Sequence, residues 1–356
     1  MANSFDILLL PGDGIGPEVV GAAKTVMDAA AKHFGVSLDC EERKVGAAAI
    51  REEGNPVSDE TLERAKASDA VLLGAVGDPE FDGGEIRPEA GLLSLRKSLG
   101  TFANLRPVAA IPALIDWSPL KREIVSGVDV LIVRELTGGA YFGEKVEGFE
   151  YASDQSVYTK DEVVRVARVA FDAARRRKKR VTSVDKANVM ATGRMWRKVV
   201  AEVGAEEYPD IELDHALADS TAMHLITNPK RFDVIVTDNL FGDMLSDEAA
   251  VLPGSMGMLA SASLGEPGSP GIFEPVHGSA PDIAGKGIAN PYATILSAAM
   301  MFRHGLGRPD IAGAIEQGVS AAMEAKFLGR DLGGEKTTQE ITKAVSQWVA
   351  AGEGVA

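Results

Sequence analysis

The 356-residue chain is 45% hydrophobic and 25% charged. That is enough apolar residue to bury a large core and more length than one compact domain needs, so two lobes are expected. Its 37 Lys and Arg stand against 52 Asp and Glu, a formal charge of -15, which excludes a general nucleic-acid or anionic-membrane binder because phosphate-rich partners are repelled at long range. An anionic small-molecule substrate therefore needs a local arginine cluster. The single cysteine, Cys40, rules out an intramolecular disulfide and a thiolate-rich metal site; it fits a reducing, cytoplasmic compartment and reads as core filler.

Along the chain, a first strand is predicted at residues 5–10, FDILLL, which carries no positively charged leader and no small-residue cleavage site and is not read as a targeting segment. A helix follows over 17–33, a strand at 70–76, a helix over 88–99, a strand at 128–135 and a helix over 160–177. A strand at 180–185, a helix over 189–203, a strand at 232–238 and a helix over 242–258 come next. The alternation predicts an α/β protein whose helices cover a largely parallel sheet. Beyond residue 291 the helical patterns at 293–303, 310–326 and 338–350 come with little strand signal. The most apolar late stretch, 292–302, is far shorter than the roughly 20 residues a membrane span requires. No repeat or low-complexity tract appears, and the Gly/Pro-rich 265–271 is only a loop. With no linker between two self-contained halves, one lobe is expected to be assembled from both chain ends.

The segment Gly12-Asp13-Gly14-Ile15-Gly16-Pro17-Glu18 follows a strand and opens a helix. It fails the Rossmann fingerprint, which requires Gly where Pro17 stands and a strand ending in an acid about 20 residues on. A direct cofactor role and a plain strand-to-helix junction with Pro in the first turn both remain open. Asp243 and Asp247 are four apart in a helical context and project from one face, so they repel unless a cation lies between them. Hard oxygen donors select Mg2+ or Mn2+ over zinc, with Asp219 as a third candidate. The competing reading is a solvated acidic helix face.

Arg96, Arg106 and Arg134 are the positive counterpart; Arg134 ends an apolar strand, where a ligand site in an α/β sheet is expected. Guanidiniums bind carboxylates in bidentate fashion, although each taken singly also suits an ordinary surface. Lys186 is a candidate base and Tyr141 a candidate acid, and spacing alone does not decide between these roles and structural ones. The glycine-rich loop 277–291 lets a flat ring and a pyrophosphate approach the backbone closely. Asp282 suits a ribose diol and opposes a 2′-phosphate, favouring NAD over NADP; a structural loop is the alternative. The basic run 175–180 ends a helical pattern, where cations complement the helix C-terminus, and is not read as a nucleic-acid patch.

Taken in order, LPGDGIGPE (10–18), GLLSLRK (91–97), NLRP (104–107), RELTGGAYFG (134–143), DKAN (185–188), NLFGDMLSDE (239–248) and the 277–291 loop resemble the 3-isopropylmalate dehydrogenase family within the isocitrate/isopropylmalate dehydrogenase superfamily. The likeness covers nearly the whole chain. It implies a two-domain, non-Rossmann α/β fold with a discontinuous first domain, 1–102 plus 257–356, that binds NAD. A second domain, 103–256, would hold the metal site and the dimer interface, in a homodimer with shared active sites set in clefts between domains.

By the same resemblance Arg96, Arg106 and Arg134 hold the substrate carboxylates. Asp243 and Asp247 bind Mg2+ or Mn2+ with Asp219 of the partner subunit, and that Asp219 also borders the substrate. Lys186 of the partner subunit assists proton removal and Tyr141 protonates the enolate. Ile15, Asn188, His277, Gly278, Ser279, Ala280, Pro281, Asp282, Ile283 and Asn290 contact NAD, with Glu89 near the nicotinamide ribose. Leu92 and Leu93 form an apolar wall that suits an isopropyl group and would leave the extra carboxylate of isocitrate unpaired. The implied reaction is NAD-dependent oxidative decarboxylation of 3-isopropylmalate to 2-oxo-4-methylpentanoate, in leucine biosynthesis. Alternatives are a D-malate or tartrate dehydrogenase of the same superfamily, a metal-dependent phosphoryl-transfer enzyme, which would lack any G-x-x-x-x-G-K-[ST] loop, and a non-catalytic metal-binding protein.

Overall fold

A computed structural model describes residues 4–252 and 254–352. The chain divides into two compact units, Met1–Thr101 with Ser255–Ala356, and Phe102–Gly254. The first begins with β1 (Ser4–Gly12), α1 (Gly16–Phe34), β2 (Ser37–Glu42), α2 (Ala47–Glu53), α3 (Asp59–Ala67), β3 (Ala70–Ala75) and α4 (Ala90–Leu99). The second runs β4 (Ala103–Ala109), α5 (Arg122–Val125), β5 (Asp129–Glu135), the short β6 (Lys145–Val146) and β7 (Ser153–Asp154), α6 (Lys160–Arg175), β8 (Arg180–Asp185), α7 (Ala191–Glu207), β9 (Glu212–Leu217), α8 (Ala218–Thr227), β10 (Val234–Thr237) and α9 (Asn239–Ala249). The chain then returns to the first unit with β11 (Ala260–Leu264), β12 (Gly271–Pro275), α10 (Tyr292–Met300), α11 (Pro309–Glu324) and α12 (Thr338–Ala351).

In the first unit the strand order is β2-β1-β3-β12-β11. Pairing is parallel except between β11 and β12, where Ala262 faces Phe273. Leu8, Leu10, Val71, Leu73 and Ile272 alternate onto one face and pack with Leu95 of α4; each such side chain contributes about 1.5–3 kcal/mol on burial. Cys40, expected as core filler, is only half-buried, because it lies on the outermost strand, β2. No helix among the described residues is long and apolar enough to cross a membrane.

In the second unit the order is β4-β5-β10-β8-β9. Only β4 runs antiparallel to its neighbour. The register sets Thr237 of β10 between Arg134 of β5 and Val184 of β8, so the C-terminal ends of three parallel strands lie level. Ile132, Ile235, Val184, Phe232 and Leu245 form the core beneath. The basic run at the end of α6 is tied to acids of the same unit. Arg175 pairs with Asp210 at 2.7 Å, and Arg177 with Asp129 and Asp233, each at 2.8 Å.

Candidate active site

At the C-terminal edge of the second unit's sheet, the buried strand β5 delivers Arg134, only 5% exposed. A guanidinium so enclosed requires partners. Its Nε and Nη2 donate to Asn239 Oδ1 at 3.1 and 2.7 Å, and its Nη1 donates to Asp243. One strand away Arg106 on β4 donates from Nε to Asn104 Oδ1 at 2.9 Å, and from Nη1 to Ser246 Oγ at 2.7 Å and Asp247 Oδ1 at 3.0 Å. Its Nη2 lies 3.8 Å from Asp243. The acids come from α9, whose first turn is capped by Asp238, a carboxylate accepting the Phe241 N–H at 2.8 Å. Spacings of three and four put Asp243, Ser246 and Asp247 on one face of that helix. Residue 242 must be glycine because a Cβ there would meet Arg134 Cγ at 2.6 Å.

Tyr141 follows β5 in a 3-10 turn, Gly139–Tyr141, and its hydroxyl donates to Asp243 Oδ2 at 2.9 Å. The Arg134 guanidinium sits 5.8 Å over its ring. Partial burial, then the Asp243 carboxylate, push the phenol above its ordinary pKa, so Tyr141 holds its proton. Asp243 thus receives Arg106, Arg134 and Tyr141 at one point.

Lys186, past the end of β8, and Asp219, in the first turn of α8, form an ion pair at 2.8 Å. The ammonium holds the Asp219 carboxyl below its usual range. Among the described residues no three Asp, Glu, His or Cys side chains converge closely enough to hold a metal ion; within one chain Asp219 does not join Asp243 and Asp247. Asn188 sits exposed in the turn after Lys186.

In the first unit, Arg96 of α4 donates to the buried Glu274 carboxylate of β12 at 2.8 Å. Leu92 is partly buried against the core and Leu93 is half exposed. Glu89 is exposed at the start of α4. The segment Gly12–Glu18 packs against the 277–291 loop, with the Ile15 N–H donating to Ser279 O at 2.8 Å. Ile15, Val19 and Ala289 cluster there with Ala280 and Ile283. Asp13 is buried and accepts N–H groups from Ala47, Ala48 and Gly77, each at 2.9 Å, which fixes the turn.

Ala280 is in the left-handed region at φ 40, a strained conformation for a residue with a Cβ. Gly278 is exposed, Ser279 buried, and Pro281–Ile283 form a 3-10 turn with Asp282 exposed. The His277 ring lies with Nδ1 3.0 Å from Gly278 O, while Nε2 is buried with no partner among the described residues. Burial lowers its pKa and favours the neutral imidazole. Asn290 is anchored, donating to Asp331 at 2.8 Å and accepting the Tyr292 N–H at 3.0 Å.

Sequence reasoning passed over Asn239, Glu274, Ser246 and Tyr158, which hold the arginines and the Tyr141 loop. Asn239 and Ser246 stood within a quoted motif without being singled out; Glu274 and Tyr158 signal nothing until distant segments meet.

The chain matches the family model described as isocitrate/isopropylmalate dehydrogenase over residues 6–345. It is 52% identical over 352 residues to a 3-isopropylmalate dehydrogenase of Rhodopirellula baltica, covering 97% of this chain and 98% of that one. It is 51% identical to a 3-isopropylmalate dehydrogenase of Pseudomonas fluorescens, covering 98% of each. Among solved structures, isocitrate dehydrogenase from Methylococcus capsulatus superposes with a TM-score of 0.87 at 38% identity, covering 97% of this chain and 99% of that one. A beta-decarboxylating dehydrogenase from Thermococcus kodakarensis gives 0.83 at 37% identity, covering 98% and 96%.

Proposed function

Because the chain belongs to the isocitrate/isopropylmalate dehydrogenase family, we propose that it is a cytoplasmic enzyme of leucine biosynthesis that oxidises 3-isopropylmalate with NAD and decarboxylates the product to 2-oxo-4-methylpentanoate, using Mg2+ or Mn2+. The observation that carries this reading is the meeting of Arg106, Arg134 and Tyr141 at Asp243, with Asp247 one turn further on. Fixed guanidiniums suit the carboxylates of a 2-hydroxy diacid, with Arg96 as a further contact and Leu92 and Leu93 as the apolar wall for the isopropyl group. Asp243 and Asp247 offer hard oxygen donors aligned on one helix face, which fits a hard divalent cation, with Asp219 of the partner subunit as the third ligand.

Asp243 and Asp247, with Asp219 of the partner subunit, would hold a cation that would supply Lewis-acid polarisation of the substrate oxygen, and the loop 277–291 with Ile15 would hold NAD, which would supply the hydride acceptor. Lys186 of the partner subunit, as the free amine, would take the hydroxyl proton and become the ammonium. Loss of carbon dioxide from the β-keto acid leaves an enolate, and Tyr141, which retains its proton, delivers it to the enolate carbon. For NAD, the buried His277 Nε2 is an acceptor that lacks a partner, which suits the exocyclic amine of adenine. Ile15 and Ile283 supply an apolar bed, and Gly278, Ser279, Ala280, Pro281 and Asn290 shape the backbone around it. Asp282 opposes a 2′-phosphate; Glu89 and Asn188 complete the nicotinamide side.

A second copy of the chain is expected because the second unit exposes several large apolar side chains. Met223 and Ile226 of α8 and Met244 of α9 are exposed, at 68%, 45% and 64%, and Phe149 and Tyr151 are exposed in the β6–β7 arm.

The test compares NADH formation from 3-isopropylmalate, D-malate, tartrate and isocitrate, with Mg2+ or Mn2+ and with chelator. Turnover of 3-isopropylmalate with NAD and metal is expected to dominate and to fall at least about 100-fold in Asp247→Asn and in Lys186→Ala. Preference for D-malate would overturn the substrate, and nucleotide hydrolysis without NADH from any hydroxy acid would overturn the reaction.

A further inference from the structure

Behind Arg134 and Tyr141 lies a pair of buried residues to which no role in the reaction has been given. Asn239, 1% exposed, takes the Nε and Nη2 edge of Arg134 on its single carbonyl oxygen, at 3.1 and 2.7 Å. Its amide nitrogen donates to Gly138 O at 3.3 Å. These contacts settle which way the amide faces, since the reverse orientation would set NH2 against a guanidinium. The Asn239 backbone N–H donates to the Tyr158 hydroxyl at 2.9 Å.

The Tyr158 ring in turn fills the space beneath the loop that carries Tyr141. A Cβ at residue 138 would come 2.5 Å from the ring, and one at 139, where φ is +76, 2.5 Å from its hydroxyl. Gly139 N–H is held by Val157 O at 2.9 Å, next in sequence to Tyr158, and the ring's other neighbour is Trp196, edge-on at 5.6 Å. One aromatic side chain therefore abuts the first residue of α9 and the turn of Tyr141, and Asn239 links both to Arg134.

We propose that Asn239, seated on Tyr158, is a positioning residue that fixes the Arg134 guanidinium in a single orientation toward the substrate carboxylate. This rests on the functional reading above. Asn239 is buried and acts only through Arg134. An arginine terminus has several rotamers of similar energy, and one oxygen that accepts from both N–H groups of an edge removes that freedom before substrate arrives. Its loss should appear as weaker substrate capture rather than slower chemistry.

The experiment is a double-mutant cycle on the full-length enzyme, reading KM for 3-isopropylmalate and kcat separately. Wild-type turnover tests the functional reading, and its absence would overturn that reading and this one together. With turnover present, Asn239→Ala should raise KM about 10-fold or more and change kcat much less. In an Arg134→Ala background the same substitution should add less than about twofold. Full multiplication of the two effects, or a kcat loss at constant KM, would overturn the positioning role while leaving the function intact. If Asn239→Ala does not fold, Tyr158→Phe, which keeps the ring and removes only the acceptor, takes its place: a severalfold rise in KM that vanishes in the Arg134→Ala background is expected, and an unchanged KM would overturn the proposal.

Discussion

A carboxylate capping a helix N-terminus is ordinarily easy to ionise, because the first N–H groups and the helix dipole favour the anion. Asp238 departs from this. Burial, reinforced by the Glu135 charge and only partly offset by the Phe241 N–H, pushes it up to about 6 from 3.8. A carboxyl whose folded pKa is raised contributes stability that is fully present below its unfolded value and is lost as pH rises through the folded one. Asp238 therefore weighs against the second unit from about pH 4 to pH 6, and the penalty is complete at neutrality. Asp238→Asn keeps a capping side chain and removes the titration. Urea unfolding should find wild type and variant nearly equal at pH 4, and the variant more stable by about 1–3 kcal/mol at pH 7.5; a difference that ignores pH would refute the assignment. At this scale the sequence was legible wherever local spacing carries the signal: Asp243 and Asp247 share a helix face by counting, and Arg134 ends a visibly apolar strand. Asn239 and Tyr158 were illegible as supports, since the contact between Asn239 and Arg134 spans 105 positions.

Helices announced themselves through their apolar period, strands less evenly. α12 starts with a reciprocal box in which the Thr337 hydroxyl accepts the Glu340 N–H at 3.2 Å and the Glu340 carboxylate accepts the Thr337 N–H at 2.9 Å. That backbone donor, with Lys336 and the Thr337 hydroxyl, draws the Glu340 pKa down to about 2. Since α12 packs on α1 and α11, fraying its first turn should be felt through the unit. Thr337→Ala is expected to lower the Tm by about 2–4 °C, with Thr337→Ser restoring most of it, measured by calorimetry; an unchanged Tm would show that tertiary contacts alone hold the turn. By contrast β4, β9 and β11 escaped the sequence reading for physical reasons. β4 carries Arg106 and Pro107, and Pro107 belongs to the antiparallel pairing with β5, so the run reads as a loop. β9 is an edge strand of alternating charge, ELDHAL, and β11, ASASL, has small residues in place of β-branched ones. β4 and β11 are also the strands that pair antiparallel with a neighbour, β5 and β12 respectively, while the pairings of β1 with β2 and β3, β3 with β12, β10 with β5 and β8, and β8 with β9 are parallel, in line with the expected largely parallel sheet.

For the whole molecule, the decisive question is whether one chain contains a complete site. Asp243, Asp247, Arg106, Arg134 and Tyr141 meet within the second unit, whereas Lys186 and Asp219 pair with each other, and no third ligand joins the two α9 acids among the described residues. The exposed methionines of α8 and α9 lie on the same unit as this divided set; in the proposed homodimer, the partner supplies its own Lys186 and Asp219. Sharing of this kind makes a quantitative prediction. Asp247→Asn and Lys186→Ala homodimers should each be inactive, because every site in them has lost one essential group. In a mixed dimer, one site combines the intact Asp247 of one chain with the intact Lys186 of the other, while the second site collects both defects. Refolding the two variants together at equal concentration gives about half mixed dimers, hence about one quarter of wild-type activity. Sites contained within single chains would give none at any mixing ratio. Sedimentation of the same samples checks that the recovered activity travels with a dimer, and a fully active monomer would remove the need for the partner altogether.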